Sequence, residues 1–163
     1  MIKYPKFLQQ NDVIGITAPS DGIIKEFDRI RLDLACKNLN ALGYKTIKTD
    51  NVEHSSKLVS SSAKERAEQF MNLWNDDVSM ILAVSGGEFL MDMLPYLDIE
   101  VIKNSKPKWI QGYSDISLLN FYFTTNFNIA TSTSVNAKSF VMNPWHKSLE
   151  NNIEILKGND VVQ

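Results

Sequence analysis

The sequence has few of the residues on which several classes of protein depend. Its 163 residues include one cysteine, Cys36, and two histidines, His54 and His146. One cysteine cannot form an internal disulfide bond, and one cysteine with two histidines cannot build a zinc cluster. We therefore expect a reducing, cytoplasmic compartment and no bound metal. No stretch approaches the ~18 consecutive apolar residues of a membrane-spanning helix, so no membrane partner is expected.

The chain also has no excess of charge of one sign. It carries 17 Lys and Arg residues against 19 Asp and Glu residues, which gives a net charge of −2. Because a nucleic-acid-binding protein needs a basic stripe or patch, we expect no nucleic-acid partner. A hydrophobic content of 44% and a charged content of 22% are typical of a globular chain. The length suits one domain over residues 1–163.

Apolar runs that end in turn residues alternate along the chain with longer segments of helical period. The runs predict strands at 13–18, 44–49, 78–84, 108–111 and 129–134, and the periodic segments predict helices at 25–42, 63–74, 116–127 and 146–157. Residues 80–84 are all apolar, and such a strand has to be covered on both faces, as in a parallel sheet. The alternation predicts an α/β fold, a three-layer sandwich with a mostly parallel sheet.

Two of the predicted helices carry expectations about their apolar faces. The first has apolar residues near the spacing of one helix face, at Phe27, Ile30, Leu34, Leu39 and Leu42. The helix over 116–127 is apolar nearly all round, which predicts a buried helix. Gly43 is placed to end the first helix in a left-handed conformation, and Ser62 with Glu65 has the spacing of a capping box.

Ligands of parallel α/β sheets bind at the carboxyl ends of the strands, so the loops found there are candidate sites. One of these loops contains Ser20, and another contains Gly86, Gly87 and Glu88. The glycine pair could direct backbone N–H groups into a cleft, as oxyanion donors or as a phosphate cradle, or it could form only a tight turn. Neither a dinucleotide-binding glycine fingerprint nor a P-loop is present, and no cofactor is expected.

The third of these loops, Gly112–Asp115, is the most informative. Ser114 follows a predicted strand directly and precedes a predicted helix directly, which is the setting of a nucleophile elbow. Only half of the G-x-S-x-G motif is present, because Ile116 stands at the position of the second glycine. The pattern alone leaves an alternative open, in which Ser114 or Asp115 only caps the helix.

A serine nucleophile needs a base and an acid that orients the base. His54 falls in a polar loop, and the i, i+4 spacing of His146 and Glu150 predicts a surface pair rather than a catalytic dyad. In hydrolases with a nucleophile elbow the partners follow the serine, and little chain follows Ser114. Either Ser114 is not a nucleophile or the chain is incomplete.

Four stretches, in this order, resemble the LD-carboxypeptidase family of serine peptidases, which includes muramoyl-tetrapeptide carboxypeptidases and microcin C self-immunity proteins. They are residues 11–20, the arginine-containing helix at 62–75, the glycine turn 85–87 with the following helix at 94–98, and Gly112–Asp115. The resemblance implies that Ser114 is the nucleophile and that the N–H groups of Gly87 and Asp115 form the oxyanion hole. Ser20, Gly86 and Glu88, which lie in the loops at the strand ends, are candidates for contact with substrate.

The resemblance also implies a catalytic Glu and His in a C-terminal domain that this chain does not contain. We therefore expect residues 1–163 to be the N-terminal, nucleophile-bearing domain, inactive by itself, of a hydrolase that forms a homodimer. The expected substrate is a small peptide, cleaved at the L,D-amide bond of a murein tetrapeptide, or a microcin-type peptidyl or aminoacyl nucleotide. Glu88 and Phe89 depart from the tetrapeptide carboxypeptidase pattern, and residues 93–98 lean toward the microcin-immunity branch.

A second function of another class remains open from the residues alone. In this alternative the chain is a non-catalytic α/β module that binds a small anionic molecule at the same strand ends. It would use the glycine turn and the N-terminus of the helix after Ser114, where backbone N–H groups favour an anion.

Overall fold

A single parallel sheet organises the chain. The computed structural model describes residues 1–160, so the last three residues of the domain predicted over 1–163 lie outside the described part. The strands are β1 (Val13–Thr17), β2 (Lys45–Lys48), β3 (Met80–Ala83), β4 (Trp109–Gly112) and β5 (Ser132–Thr133). Their order is β2-β1-β3-β4-β5, and each neighbouring pair is parallel. The predicted α/β fold with a mostly parallel sheet is confirmed.

Helices cover both faces of this sheet. In residues 1–160 they are α1 (Glu26–Ala41), α2 (Ala63–Asn75), α3 (Ile99–Asn104), α4 (Ile116–Phe127) and α5 (Lys147–Leu156). On one face, Leu82 of β3 belongs to the same core cluster as Leu32 of α1. On the other face, Ile81 of β3 clusters with Phe70 of α2. Because successive strand residues point to opposite faces, the sheet has a core on each side, and the sandwich has three layers.

The predicted helix boundaries are close to the observed ones where the capping signals are strong. Ser62 accepts a hydrogen bond from the Glu65 backbone N–H, and the Glu65 carboxylate accepts one from the Ser62 N–H, so the capping box at the start of α2 is confirmed. Gly43 has φ +93° just after α1, the left-handed conformation predicted for it.

The apolar face predicted for α1 is wrong except at Leu39. Phe27, Ile30 and Leu34 are 69%, 50% and 43% exposed, whereas the buried residues of this helix are Leu32, Ala35 and Leu39. The helix carries two apolar stripes, and the one that contains the small Ala35 faces the sheet, where a short side chain permits close packing.

Helix α4 is also less buried than predicted. Its residues Ile116, Leu119, Phe123 and Phe127 are buried, but Phe121 is 65% exposed. The helix covers the sheet on one side and meets solvent on the other, so its apolar outer face is a surface feature. Within residues 1–160, no helix has the combined length and hydrophobicity that a membrane crossing requires.

The strand predicted over 129–134 is shorter than expected, since only Ser132–Thr133 joins the sheet. Ile129 instead forms an isolated parallel bridge with Lys3 near the start of the chain. The helix implied at 94–98 corresponds to a 3₁₀ segment at Leu90–Tyr96, and the sequence did not predict α3 or the 3₁₀ segments at Asp50–Glu53 and Ala137–Val141. These segments are too short to show a helical period, and their hydrogen bonds are local.

Candidate active site

Ser114 occupies a strained turn between β4 and α4. It has φ +65°, a left-handed conformation that costs a residue with a side chain roughly 1–2 kcal/mol, and its side chain is exposed. Asp115, at the N-cap position of α4, makes no side-chain capping hydrogen bond. The turn therefore presents the serine hydroxyl to solvent instead of using either side chain as a cap, as in a nucleophile elbow.

Gly112 explains how the elbow forms with only half of the usual glycine motif. A Cβ atom at position 112 would lie 2.6 Å from Ile116 Cγ2 and 2.9 Å from Asn136 Oδ1. Asn136 is 6% exposed, and its Oδ1 accepts a hydrogen bond from the Tyr113 N–H over 3.1 Å. The first glycine leaves the space that Ile116 fills, and Asn136 fixes the turn from the opposite side. No sequence pattern indicated Asn136, which is far from the motif along the chain.

The glycine turn after β3 packs directly against the elbow. A Cβ atom at Gly86 would lie 3.0 Å from Ser114 Cβ and 3.2 Å from its Oγ. A Cβ atom at Gly87 would overlap Ser20 Oγ and would lie 2.9 Å from the backbone nitrogen of Asp21. The loops that follow β1, β3 and β4 thus meet at one point, where a side chain at Gly87 would clash and one at Gly86 would be tightly packed.

Two backbone N–H groups beside Ser114 are free to bind a ligand. Within residues 1–160, neither the Gly87 N–H nor the Asp115 N–H donates a hydrogen bond to a protein acceptor. The Asp115 group lies at the N-terminus of the 12-residue helix α4, where the helix dipole favours negative charge. The two residues that the family resemblance assigns to an oxyanion hole are therefore available for that role.

The Asp115 side chain connects the elbow to both neighbouring loops. Its Oδ2 accepts a hydrogen bond from the Ser20 hydroxyl over 2.5 Å and another from the Leu90 N–H over 2.9 Å. Ser20 is fully buried, and its hydroxyl is used in this contact. The sequence predicted that Ser20 contacts substrate. In the structure its side chain lies beneath the glycine turn and does not line the cleft.

Arg66 of α2 is a buried charge beneath the same loops. It is 2% exposed, and its Nη1 donates hydrogen bonds to the carbonyl oxygens of Pro19, over 2.9 Å, and of Phe89, over 2.8 Å. Burial lowers the pKa of Arg66, and the carboxylates of Asp92 and Asp115 oppose that shift. The sequence indicated an arginine-containing helix, but its spacing could not show that the guanidinium reaches two strand-end loops.

The cleft in front of Ser114 has a volume of about 400 Å³ and a charged lining. Glu88 and Asp21 line it on the side of the loops, and Arg31 and Lys138 line it as well. Asp28 Oδ1 lies 3.2 Å from Lys138 Nζ and 3.8 Å from Arg31 Nη1, so one carboxylate holds both cations. Glu88 was a sequence candidate, whereas Arg31 and Lys138 were not, because they come from distant segments.

Neither histidine of the chain lines this cleft. His146 caps α5, where its Nδ1 accepts a hydrogen bond from the Ser148 N–H over 3.2 Å. The predicted surface pair of His146 with Glu150 is not formed, because Glu150 pairs with Lys147 at 3.5 Å. His54 lies at a separate pocket. Across residues 1–160, no three His, Cys, Asp or Glu side chains are grouped in a way that could hold a metal ion.

The order β2-β1-β3-β4-β5, a serine with positive φ after β4 and a glycine turn against it define an α/β protein of the nucleophile-elbow class. Residues 14–134 match the LD-carboxypeptidase N-terminal domain. The chain belongs to the LD-carboxypeptidase family, which confirms the resemblance seen in its motifs.

Individual relatives agree with this assignment. A Vibrio cholerae protein whose name assigns it to the carboxypeptidases is 35% identical over 125 residues, which are 75% of this chain and 37% of that protein. An MccF-like protein from Bacillus anthracis has a similar fold, with 28% identity, a TM-score of 0.82 and coverage of 94% of this chain and 46% of that one. The Escherichia coli microcin C7 self-immunity protein MccF, in complex with aspartyl sulfamoyl adenosine, gives 27% identity, a TM-score of 0.83 and coverage of 96% and 47%. The chain thus spans less than half the length of each of these proteins.

Proposed function

We propose that Ser114 is the nucleophile of a serine hydrolase that cleaves an amide bond beside an anionic group. The observation that carries the proposal is the elbow itself. Ser114 is exposed at φ +65°, in contact with Gly86 and beside the free N–H groups of Gly87 and Asp115. Membership in the LD-carboxypeptidase family supports the same chemistry.

In this mechanism the Ser114 hydroxyl oxygen attacks the carbonyl carbon of the scissile amide. The carbonyl oxygen becomes an oxyanion, and the N–H groups of Gly87 and Asp115 donate hydrogen bonds to it. Each such donor typically contributes about 10²–10³-fold in rate. We propose that the base that accepts the serine proton and the acid that orients the base lie outside residues 1–160, and the absence of both histidines from the cleft lining supports this for the base. We therefore propose that residues 1–163 alone have no measurable turnover.

Two substrate classes are candidates for the cleft, and both place an anion near the scissile amide. A murein tetrapeptide ends in a carboxylate, and a peptidyl or aminoacyl nucleotide carries a phosphoryl group. Arg31 and Lys138, held by Asp28, supply two cations to the lining. The complex of MccF with aspartyl sulfamoyl adenosine supports the nucleotide class, and the carboxypeptidase relative supports the peptide class.

A direct comparison of the two substrates tests this function. The product of the complete gene is incubated with an L,D-tetrapeptide and, separately, with an aminoacyl sulfamoyl adenosine, and the products are measured by mass spectrometry. We expect one substrate to be cleaved, Ser114→Ala to abolish cleavage, and Ser117→Ala, three positions further along, to retain it. Saturable binding of both compounds without cleavage of either would favour the non-catalytic anion-binding module instead.

A further inference from the structure

We propose that the buried Arg66 guanidinium and the Asp115 carboxylate are positioning groups that lock the glycine turn 85–87 against the elbow. This inference rests on the proposed function for its catalytic consequence, because the turn holds one of the two oxyanion donors. Its structural part stands on the hydrogen bonds around Ser20, Leu90 and the two charges, none of which is used by the reaction itself.

The Asp115 carboxylate is the first positioning group. It belongs to the residue directly after Ser114, yet it accepts hydrogen bonds from Ser20, in the loop after β1, and from the Leu90 N–H, just beyond the glycine turn. Ser20 in turn packs under Gly87, where a Cβ atom would overlap its hydroxyl. One carboxylate therefore fixes the loops after β1 and β3 relative to the helix that carries the Asp115 N–H.

Arg66 is the second positioning group, and it holds the same two loops from the side of α2. Its Nη1 joins the carbonyl oxygens of Pro19 and Phe89, which are adjacent to Ser20 and Leu90 in the chain. A guanidinium that is 2% exposed is costly to desolvate, and a methionine of similar size would pack there at lower cost. The charge is explained if its function is to hold the two carbonyl groups in place.

Within residues 1–160, one backbone hydrogen bond joins the two loops directly, so the side chains of Asp115 and Arg66 supply the other polar links. Asp21 N–H donates to the Gly86 carbonyl oxygen over 3.2 Å, a long hydrogen bond. Glycine also has more backbone freedom than any other residue, so two consecutive glycines would leave the Gly87 N–H poorly oriented without support. Positioning of an oxyanion donor is worth most when no reorganisation is needed at the moment of reaction.

Amide hydrogen exchange tests the structural part without any substrate. We expect Ser20→Ala and Arg66→Met to speed exchange of the Asp21 and Leu90 N–H groups at least about tenfold, while the amides of β3 stay protected. Ser132→Ala is the matched control, because it removes a 2.8 Å hydroxyl hydrogen bond to Gln111 on another part of the sheet. Unchanged exchange at Asp21 and Leu90, or an equal rise throughout the sheet, would overturn the proposal. If Arg66→Met does not fold, Ser20→Ala decides.

Steady-state kinetics of the complete gene product test the catalytic part. We expect Ser20→Ala and Arg66→Lys to lower kcat about 10- to 100-fold with little change in KM, because a misplaced donor weakens only the transition state. An unchanged kcat, or an increase in KM alone, would overturn the positioning role. If the wild-type protein cleaves neither substrate while the exchange results are as expected, the proposed hydrolase function fails. The structural part of the proposal, that Arg66 and Asp115 hold the glycine turn, then still stands.

Discussion

Gly86 packs against the side chain of Ser114, close enough that a Cβ atom on the glycine would lie 3.0 Å from Ser114 Cβ. The two residues follow adjacent strands, β3 and β4, which are paired in parallel, so their loops emerge side by side at the same edge of the sheet. The parallel pairing thus brings Gly86 of the glycine turn and a strained serine together, although 27 other residues separate them in the chain.

The glycine turn gives the first prediction. Gly87→Ala places a methyl group against Ser20 and the Asp21 backbone, and we expect it to lower the free energy of unfolding by about 1–3 kcal/mol. Gly86→Ala meets only the Ser114 side chain at 3.0–3.2 Å, so we expect a smaller loss of stability. Urea denaturation of both variants measures the difference. Equal stability of Gly87→Ala and the wild type would mean that the turn is not packed as described.

Because Ser114 has a positive φ, we expect its glycine and alanine variants to differ in stability in the opposite order from those of Ser117. Ser114→Gly should be more stable than Ser114→Ala by about 1 kcal/mol, because glycine adopts φ +65° without steric cost. Ser117, inside α4, is the matched control, and there the glycine variant should be less stable than the alanine variant by about 1 kcal/mol. The measurement is thermal or urea unfolding of the four variants. The same order at both positions would contradict the elbow geometry.

Helix α4 offers a pair of phenylalanines for a packing test. Phe123 is fully buried against Phe70, Trp74 and Phe127, and Phe123→Ala should cost about 3–5 kcal/mol. Phe121 on the same helix is 65% exposed, so Phe121→Ala should stay within about 0.5 kcal/mol of the wild type. Chemical denaturation measures the loss of stability in each of the two variants. Similar losses at both sites would mean that the outer face of α4 is covered.

Cys36 gives a prediction about pH. Burial raises the pKa of this thiol, with smaller opposing effects from Thr46 and Lys48, so less thiolate is present at a given pH in the folded chain. We therefore expect the midpoint of the pH dependence of iodoacetamide alkylation to lie higher in the folded protein than in the urea-unfolded protein. A midpoint equal to or below that of the unfolded chain would contradict this environment for Cys36.

The sequence predicted the fold well because the relevant signals are local. Contiguous apolar residues at 80–84, the capping box at Ser62 and a glycine at position 43 each report on their own neighbours in the chain. The wrong face of α1 shows the limit of such signals. Two apolar stripes were present, and the choice between them depended on how closely the sheet could approach Ala35.

The site was predictable only where it follows a motif. Ser114, Gly86, Gly87 and Glu88 lie at or beside the cleft, as the loops after β3 and β4 indicated. The supporting residues Arg66 and Asn136 make their contacts across 47 and 23 positions of the chain, and no spacing rule reports such contacts. Ser20 was selected for the correct loop, but burial, which a single sequence does not show, placed its hydroxyl on Asp115.

Covalent labelling with a serine-directed fluorophosphonate tests whether Ser114 is the nucleophile. The complete gene product is treated with the probe, digested and examined by mass spectrometry. We expect one adduct, on the peptide that contains Ser114, which is lost in Ser114→Ala and retained in Ser117→Ala. The absence of any adduct on the wild-type protein, or an adduct that persists in Ser114→Ala, would contradict the assignment of Ser114 as the nucleophile.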